Sequence, residues 1–176
     1  MSDQDLQWQK ISEQSYSAGF RKMLRRKFKM PDGKIAEYDL NHNADVVCIL
    51  ALTSDNKVIL AKQFRPAQEM VLLEIPGGGV EEGETPHQAA ARELVEETGY
   101  SGELQFVGKS LQSAYDTLIR HNFVATNCSK TQDQNLDDLE YIETVEMPLQ
   151  EFKEHLKSGQ LTDVATGYLG LEFLKI

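Results

Sequence analysis

Apolar positions along the chain gather in short runs divided by polar turns, and only three stretches carry a helical period. Val46–Leu52 and Lys57–Phe64 read as two strands turning at Ser54 to Asn56. Val71–Ile75, Leu104–Lys109, Arg120–Thr126 and Tyr141–Met147 add further strands, the last with alternating character. "MPDGK", Met30 to Lys34, is a tight turn because proline presets φ and glycine accepts a positive one, so residues 18–40 form a hairpin. "TPHQAAARELVEETG" carries full helix punctuation: Thr85 as N-cap, Pro86 in the first turn, Gln88 three residues after the cap, and Gly99 as the stop. A second helix places Leu149, Phe152 and Leu156 on one face and ends at Gly159. A third runs from Val164 to Lys175, weakened by Gly167 and Gly170. Many strands with two or three helices, one of them central, predict an α/β fold with a mixed sheet sandwiched between helices.

At 176 residues the chain suits one sizeable domain. The longest apolar run is a strand's length, far below a membrane span, and the N-terminus shows no secretory or transit pattern, so a cytoplasmic protein is expected. Cys48 and Cys128 lie in apolar runs without a CxxC spacing and are expected to be buried free thiols. The net charge of −10 argues against a general nucleic-acid binder, which needs a basic footprint. The exception is "RKMLRRKFK", Arg21 to Lys29, with six basic residues in nine. It is either a solvated strand or a phosphate-attracting arm beside an acidic site.

That acidic site is the central helix. At about 100° per residue, Glu93, Glu96 and Glu97 fall within one arc turned from the core, while Ala90, Ala91, Leu94 and Val95 can pack on a sheet. Like charges three and four residues apart repel unless something neutralises them, and a hard divalent cation does so. Arg92 stands beside the arc, four residues before Glu96, where it can pair with a carboxylate. A Glu-x-x-Glu-Glu alone is commonplace on solvated helices. Here it sits in a longer pattern, G-x5-E-x7-R-E-U-x-E-E-x-G-U with U apolar, filled by Gly78, Glu84, Arg92, Glu93, Leu94, Glu96, Glu97, Gly99 and Tyr100.

This pattern is the Nudix box, and the chain resembles the Nudix hydrolase family at every position of it. The resemblance implies an α/β/α sandwich around a mixed sheet and hydrolysis of a nucleoside diphosphate linked to another moiety. It implies Mg²⁺, with Mn²⁺ as a substitute, held by Glu93, Glu97 and Glu96, with the Gly77 carbonyl as a further ligand and Glu84 and Arg92 in support. Glycines 77 to 79 would let the backbone approach metal and phosphate without a Cβ in the way.

"QFRPAQEMVLLEIPGGGVEEGE", Gln63 to Glu84, is similar to the ADP-ribose and nucleotide-sugar pyrophosphatase branch. In that branch Arg65 would contact substrate phosphate and Glu74 would lie in or beside the site. A loop glutamate before an I-E-[VT] strand would be the general base, matching Glu140 first and Asp138 next. "SLQSAYDTLIRHNF" lacks the proline found downstream of the box in ADP-ribose hydrolases. Its Tyr115 is similar to a tyrosine of dinucleoside polyphosphate hydrolases and is either a base-stacking residue or a loop aromatic.

The expectation is therefore a homodimeric hydrolase of nucleoside diphosphate sugars. Residues 1–43 would be a hairpin extension for dimerisation, exchanged or packed between chains, with Arg25 and Arg26 reaching the partner's substrate; residues 44–176 would be the hydrolase domain. The alternatives are hydrolysis of dinucleoside polyphosphates or RNA 5′ ends, and a regulator that binds nucleotide sugars without turnover.

Overall fold

The computed structural model describes residues 3–176 and, side chains included, residues 5–176. Residues 1 and 2, the opening of the stretch read for a leader pattern, lie outside them. The chain divides into two compact units, Met1–Ala44 with Leu111–Ile119, and Asp45–Ser110 with Arg120–Ile176. The segment carrying Tyr115 thus groups with the N-terminal residues.

In the first unit a short helix α1 (Asp3–Leu6) precedes β1 (Gln9–Ala18), β2 (Arg21–Lys29) and β3 (Ile35–Asn41). These form a three-stranded antiparallel sheet in chain order, where the sequence predicts only the β2–β3 hairpin. β1 shows no apolar alternation, since nearly all of it is exposed. Its register comes from cross-strand partners: Glu13 lies opposite Arg26, and Tyr16 stacks on the Arg25 guanidinium, 5.3 Å from the ring centre. The turn is the predicted one, with Gly33 at φ +86° and its N–H donating to the Met30 carbonyl at 2.9 Å.

The second unit is built on β4 (Val46–Thr53), β5 (Lys57–Arg65), β6 (Met70–Glu74), β7 (Gly77–Gly79), β8 (Tyr100–Leu111), β9 (Ile119–Lys130) and β10 (Glu143–Pro148). Their order is β10-β5-β4-β9-β8, with β6 paired to β5 and β7 to β4. β4 runs parallel to β9 and antiparallel to β5, so the sheet is mixed. Side chains alternate along β4. Val47, Ile49 and Ala51 pack with Ala89, Ala90 and Leu94 of α2 (Pro86–Thr98). Cys48, Leu50 and Leu52 pack on the other face with Phe152 of α3 (Leu149–His155) and Leu171 of α4 (Val164–Leu174). Helices on both faces make the expected α/β/α sandwich. Gly167 and Gly170 do not mark a weak helix. A Cβ on Gly170 would stand 2.5 Å from Leu50 Cδ2, so the bare backbone lets α4 lie close on the sheet.

α2 begins and ends as predicted. Thr85 Oγ1 accepts from the Gln88 N–H, Gln88 Oε1 accepts from the Thr85 N–H at 2.9 Å, and Gly99 closes the helix at φ +76°. Both cysteines are buried and free. Among the described residues no helix is long and apolar enough to cross a membrane.

Candidate active site

The site grows from β7, a strand of three glycines. It pairs with β4 as Cys48–Gly77, Val47–Gly78 and Val46–Gly79. A Cβ on Gly77 would overlap the Val47 carbonyl oxygen at 2.1 Å, and one on Gly78 would stand 2.3–2.5 Å from the Glu93 carboxyl atoms. Only glycine admits both the sheet on one side and the glutamates of α2 on the other.

Glu97 does not face away from the core. It is 5% exposed, and its Oε2 accepts the Gly77 N–H at 2.9 Å. Burial pushes its carboxyl up to about 8, helped by the charges of Glu93 and Glu140, while the Gly77 N–H and Arg65 act the other way. Glu93 is raised as well, first by burial and then by Glu96 and Glu140, against the pull of Arg92. Glu140 and Arg65 are therefore both within electrostatic reach of Glu97.

Arg92 organises the remaining acids. Its Nε and Nη2 take the two oxygens of Glu84 at 3.0 Å each, and Nη1 takes Glu93 and Glu96 at 2.9 Å. Nη2 also donates to the Gly79 carbonyl at 2.9 Å, tying α2 to β7. Glu84, foremost among these partners, holds the guanidinium far on its charged side.

As they stand, no three acid, histidine or cysteine side chains among the described residues meet in metal-ligand geometry. Arg92 and the Gly77 N–H occupy the oxygens instead. The donor set nevertheless fits a hard divalent cation: all ligands are oxygens, and the Glu93 and Glu97 carboxyls are raised first by burial and then by neighbouring carboxylates, both of which a cation offsets.

Arg65 and Glu74 meet, with Nε 2.5 Å from Oε2 of a fully buried Glu74. Glu140 lies in a turn ahead of β10, and the strand read from Tyr141 begins only at Glu143. The turn is closed twice: the Glu140 N–H donates to the Asp137 carbonyl at 2.9 Å, and Glu140 Oε2 accepts the Asp137 N–H at 3.1 Å. Asp138 is exposed in the same turn. Beside Glu140 opens a cleft of about 540 Å³ whose walls include Phe64, Val71, Leu136 and Tyr141.

One contributor had no signal in the sequence. Gln134 Nε2 donates to the Glu97 carbonyl at 2.5 Å and the Ile142 carbonyl at 3.1 Å, fastening the Glu140 loop to the end of α2. A lone loop glutamine carries no pattern that could have revealed it.

Arg25 and Arg26 belong to the first unit. Arg25 takes both oxygens of Asp39, at 2.8 and 3.0 Å, and Arg26 Nε stands 2.5 Å from Glu13. Both arginines are thus paired with acids of their own sheet. Tyr115 lies 6.1 Å from the Tyr38 ring, next to the cluster of Trp8, Phe28 and Tyr38.

Residues 42–164 match the NUDIX domain family, and the chain belongs to the NUDIX hydrolase family. It is 30% identical over 167 residues to the ADP-ribose pyrophosphatase of Bacillus subtilis, covering 93% of this chain and 90% of that one. It is also 30% identical over 168 residues to a methanol dehydrogenase activator of Bacillus methanolicus, covering 92% and 91%. A solved ADP compounds hydrolase superposes with a TM-score of 0.83 at 22% identity, covering 97% of this chain and 96% of that one; it bears out the fold. Members of the family act with divalent metal ions.

Proposed function

We propose that this chain hydrolyses the pyrophosphate bond of nucleoside diphosphate sugars, ADP-ribose among them, to a nucleoside monophosphate and a sugar phosphate. The observation that carries it is the glycine strand against α2, where the Gly77 N–H donates to Glu97 and the bare Gly78 faces the Glu93 carboxylate, with the charges of Glu140 and Arg65 felt at Glu97. The near-full-length likeness to an ADP-ribose pyrophosphatase supports this substrate class.

Glu93, Glu96, Glu97 and the Gly77 carbonyl would hold Mg²⁺, with Mn²⁺ as a substitute. When bound, the metal withdraws charge from the phosphates and lowers the pKa of water. The chain's own groups do the rest. Arg65, steadied by Glu74 through Nε, keeps its two Nη groups for a substrate phosphate. Arg92 sets the rotamers of Glu93 and Glu96. Glu140 accepts a proton from the attacking water as its oxygen bonds to phosphorus and the anhydride P–O bond breaks. Glu140 fits this role better than Asp138, because its charge is felt at Glu93 and Glu97. The protein acts in the cytoplasm as a homodimer, with Arg25, Arg26 and Tyr115 assisting substrate binding.

Turnover with Mg²⁺ of ADP-ribose, GDP-mannose, diadenosine polyphosphates and capped RNA tests the reading. ADP-ribose and other diphosphate sugars are expected to be hydrolysed without strict preference. A best reaction on diadenosine polyphosphates or capped RNA would move the substrate class, and no turnover at all would indicate a binding protein.

A further inference from the structure

Asp163 stands at the N-cap of α4, where aspartate ordinarily accepts an N–H of the first turn, yet its side chain makes no capping bond. Its carboxylate turns elsewhere. Oδ1 lies 2.6 Å from Arg120 Nη2, a pair whose side chains are 12% and 10% exposed, and Oδ2 lies 3.0 Å from the hydroxyl of Thr162. The same hydroxyl lies 2.6 Å from Glu74 Oε1. A hydroxyl has one hydrogen, and the shorter contact assigns it to Glu74. Asp163 is therefore held by Arg120, and the Thr162 hydroxyl is left to Glu74.

What that hydroxyl fixes is the orientation of Glu74. Its carboxylate is wholly buried, with one oxygen on Arg65 and the other on Thr162. With a single bond it could rotate about its terminal torsion and carry Arg65 with it; with both oxygens engaged, its plane is fixed. Arg65 is 41% exposed, so little else confines it. We infer that Thr162, whose hydroxyl donates to Glu74 Oε1, is a positioning residue that aims the Arg65 guanidinium through Glu74. This rests on the reading that Arg65 binds a substrate phosphate.

Thr162 is itself exposed, so its replacement can be made without opening the core. Thr162→Val removes the hydroxyl and keeps the shape; Thr162→Ser keeps the hydroxyl. With ADP-ribose and Mg²⁺, Thr162→Val is expected to raise KM about tenfold, the size of one lost hydrogen bond to a charged group, with kcat little changed. Thr162→Ser should return both KM and the melting temperature to the wild-type values, while Thr162→Val, which strips a partner from the buried Glu74, should melt somewhat lower. The Thr162→Val effect should disappear in an Arg65→Ala background, because a residue acting through Arg65 has nothing left to aim. An unchanged KM in Thr162→Val, or an equal rise with and without Arg65, overturns the inference while leaving the role of Arg65 intact. If Arg65→Ala alone leaves KM unaltered, or the wild type turns over nothing in the panel, the phosphate-binding role fails first and the inference with it.

Discussion

The backbone N–H of Gly77 donates to Oε2 of Glu97 at 2.9 Å, joining a glycine strand to a buried carboxyl. In the metal-free protein that carboxyl is raised from the ordinary range to about 8 and so keeps its proton at neutral pH. A group raised on folding contributes stability that is fully present below its unfolded pKa of 4.5 and is lost as pH climbs through 8. Glu97→Gln, neutral at any pH, should therefore melt higher than wild type at pH 8.5 without metal, and show no such advantage at pH 4.5. Mg²⁺ should bind the wild type more tightly as pH rises from 6 to 8.5, releasing a proton below 8, as calorimetry in buffers of different ionisation enthalpy can read. The same variant should lose at least about two orders of magnitude in rate. A pH-independent affinity, or near-normal turnover at saturating Mg²⁺, would remove Glu97 from the ligands.

Much of this site could be read from residue spacing, and the limit of that reading has a physical cause. The cap at Thr85, the stop at Gly99 and the cluster of Glu93, Glu96 and Glu97 follow from helix geometry alone, which is local. The strand at Gly77–Gly79 could not be read that way, because glycine disfavours strands and offers no side-chain pattern. It forms because β4 supplies the hydrogen-bonding partner, and it is this strand that buries Glu97. β1 was invisible for a related reason: it is held by its backbone ladder with β2 and not by an apolar face. Contacts such as Gln134 with Glu97, or Thr162 with Glu74, join residues 37 and 88 positions apart and leave no trace in any window of sequence.

Arg92 binds Glu84, Glu93, Glu96 and the Gly79 carbonyl with one guanidinium. Removing it leaves three carboxylates facing one another in a partly buried setting, so Arg92→Ala should cost about 2–3 kcal/mol of stability without metal. Lysine has no planar fork to reproduce the set, so Arg92→Lys should recover less than half of the loss. Mg²⁺ should restore part of the stability in both variants, since it neutralises the same oxygens. Denaturant melts with and without Mg²⁺ measure this. An Arg92→Ala protein as stable as wild type in EDTA would mean the clamp is not holding the acids.

In the first unit the Arg25–Asp39 pair and the Arg26–Glu13 pair consume the charges expected to reach a neighbouring chain's substrate. Both arginines are exposed enough that the pairs are worth little in stability. Arg25→Ala and Arg26→Ala should therefore fold with an unchanged melting temperature. If they reach the substrate of a second copy, each should raise KM for ADP-ribose severalfold. Deleting residues 1–40 should abolish both dimerisation and activity. A fully active monomer in light scattering and assay would contradict the homodimer.

Glu140 is held in its turn by two contacts with Asp137, and its charge is felt at Glu93 and Glu97. Glu140→Gln keeps the size of the side chain and removes the proton acceptor. As the base, it should show kcat lower by roughly 10²–10⁴-fold with KM little changed, because proton transfer is felt only in the transition state. Activity of the variant should rise with pH, as hydroxide replaces the missing acceptor, where the wild type levels off. Asp138→Asn in the same turn should keep its rate. Gln134→Ala offers a separate check, because it frees the loop from the Glu97 carbonyl and leaves the carboxylate in place. It should lower kcat less than Glu140→Gln does, and without a rising pH profile, since the base is displaced, not absent. Wild-type kcat in Glu140→Gln together with loss in Asp138→Asn would transfer the role to Asp138, and silence in both would put the base among the glutamates of α2.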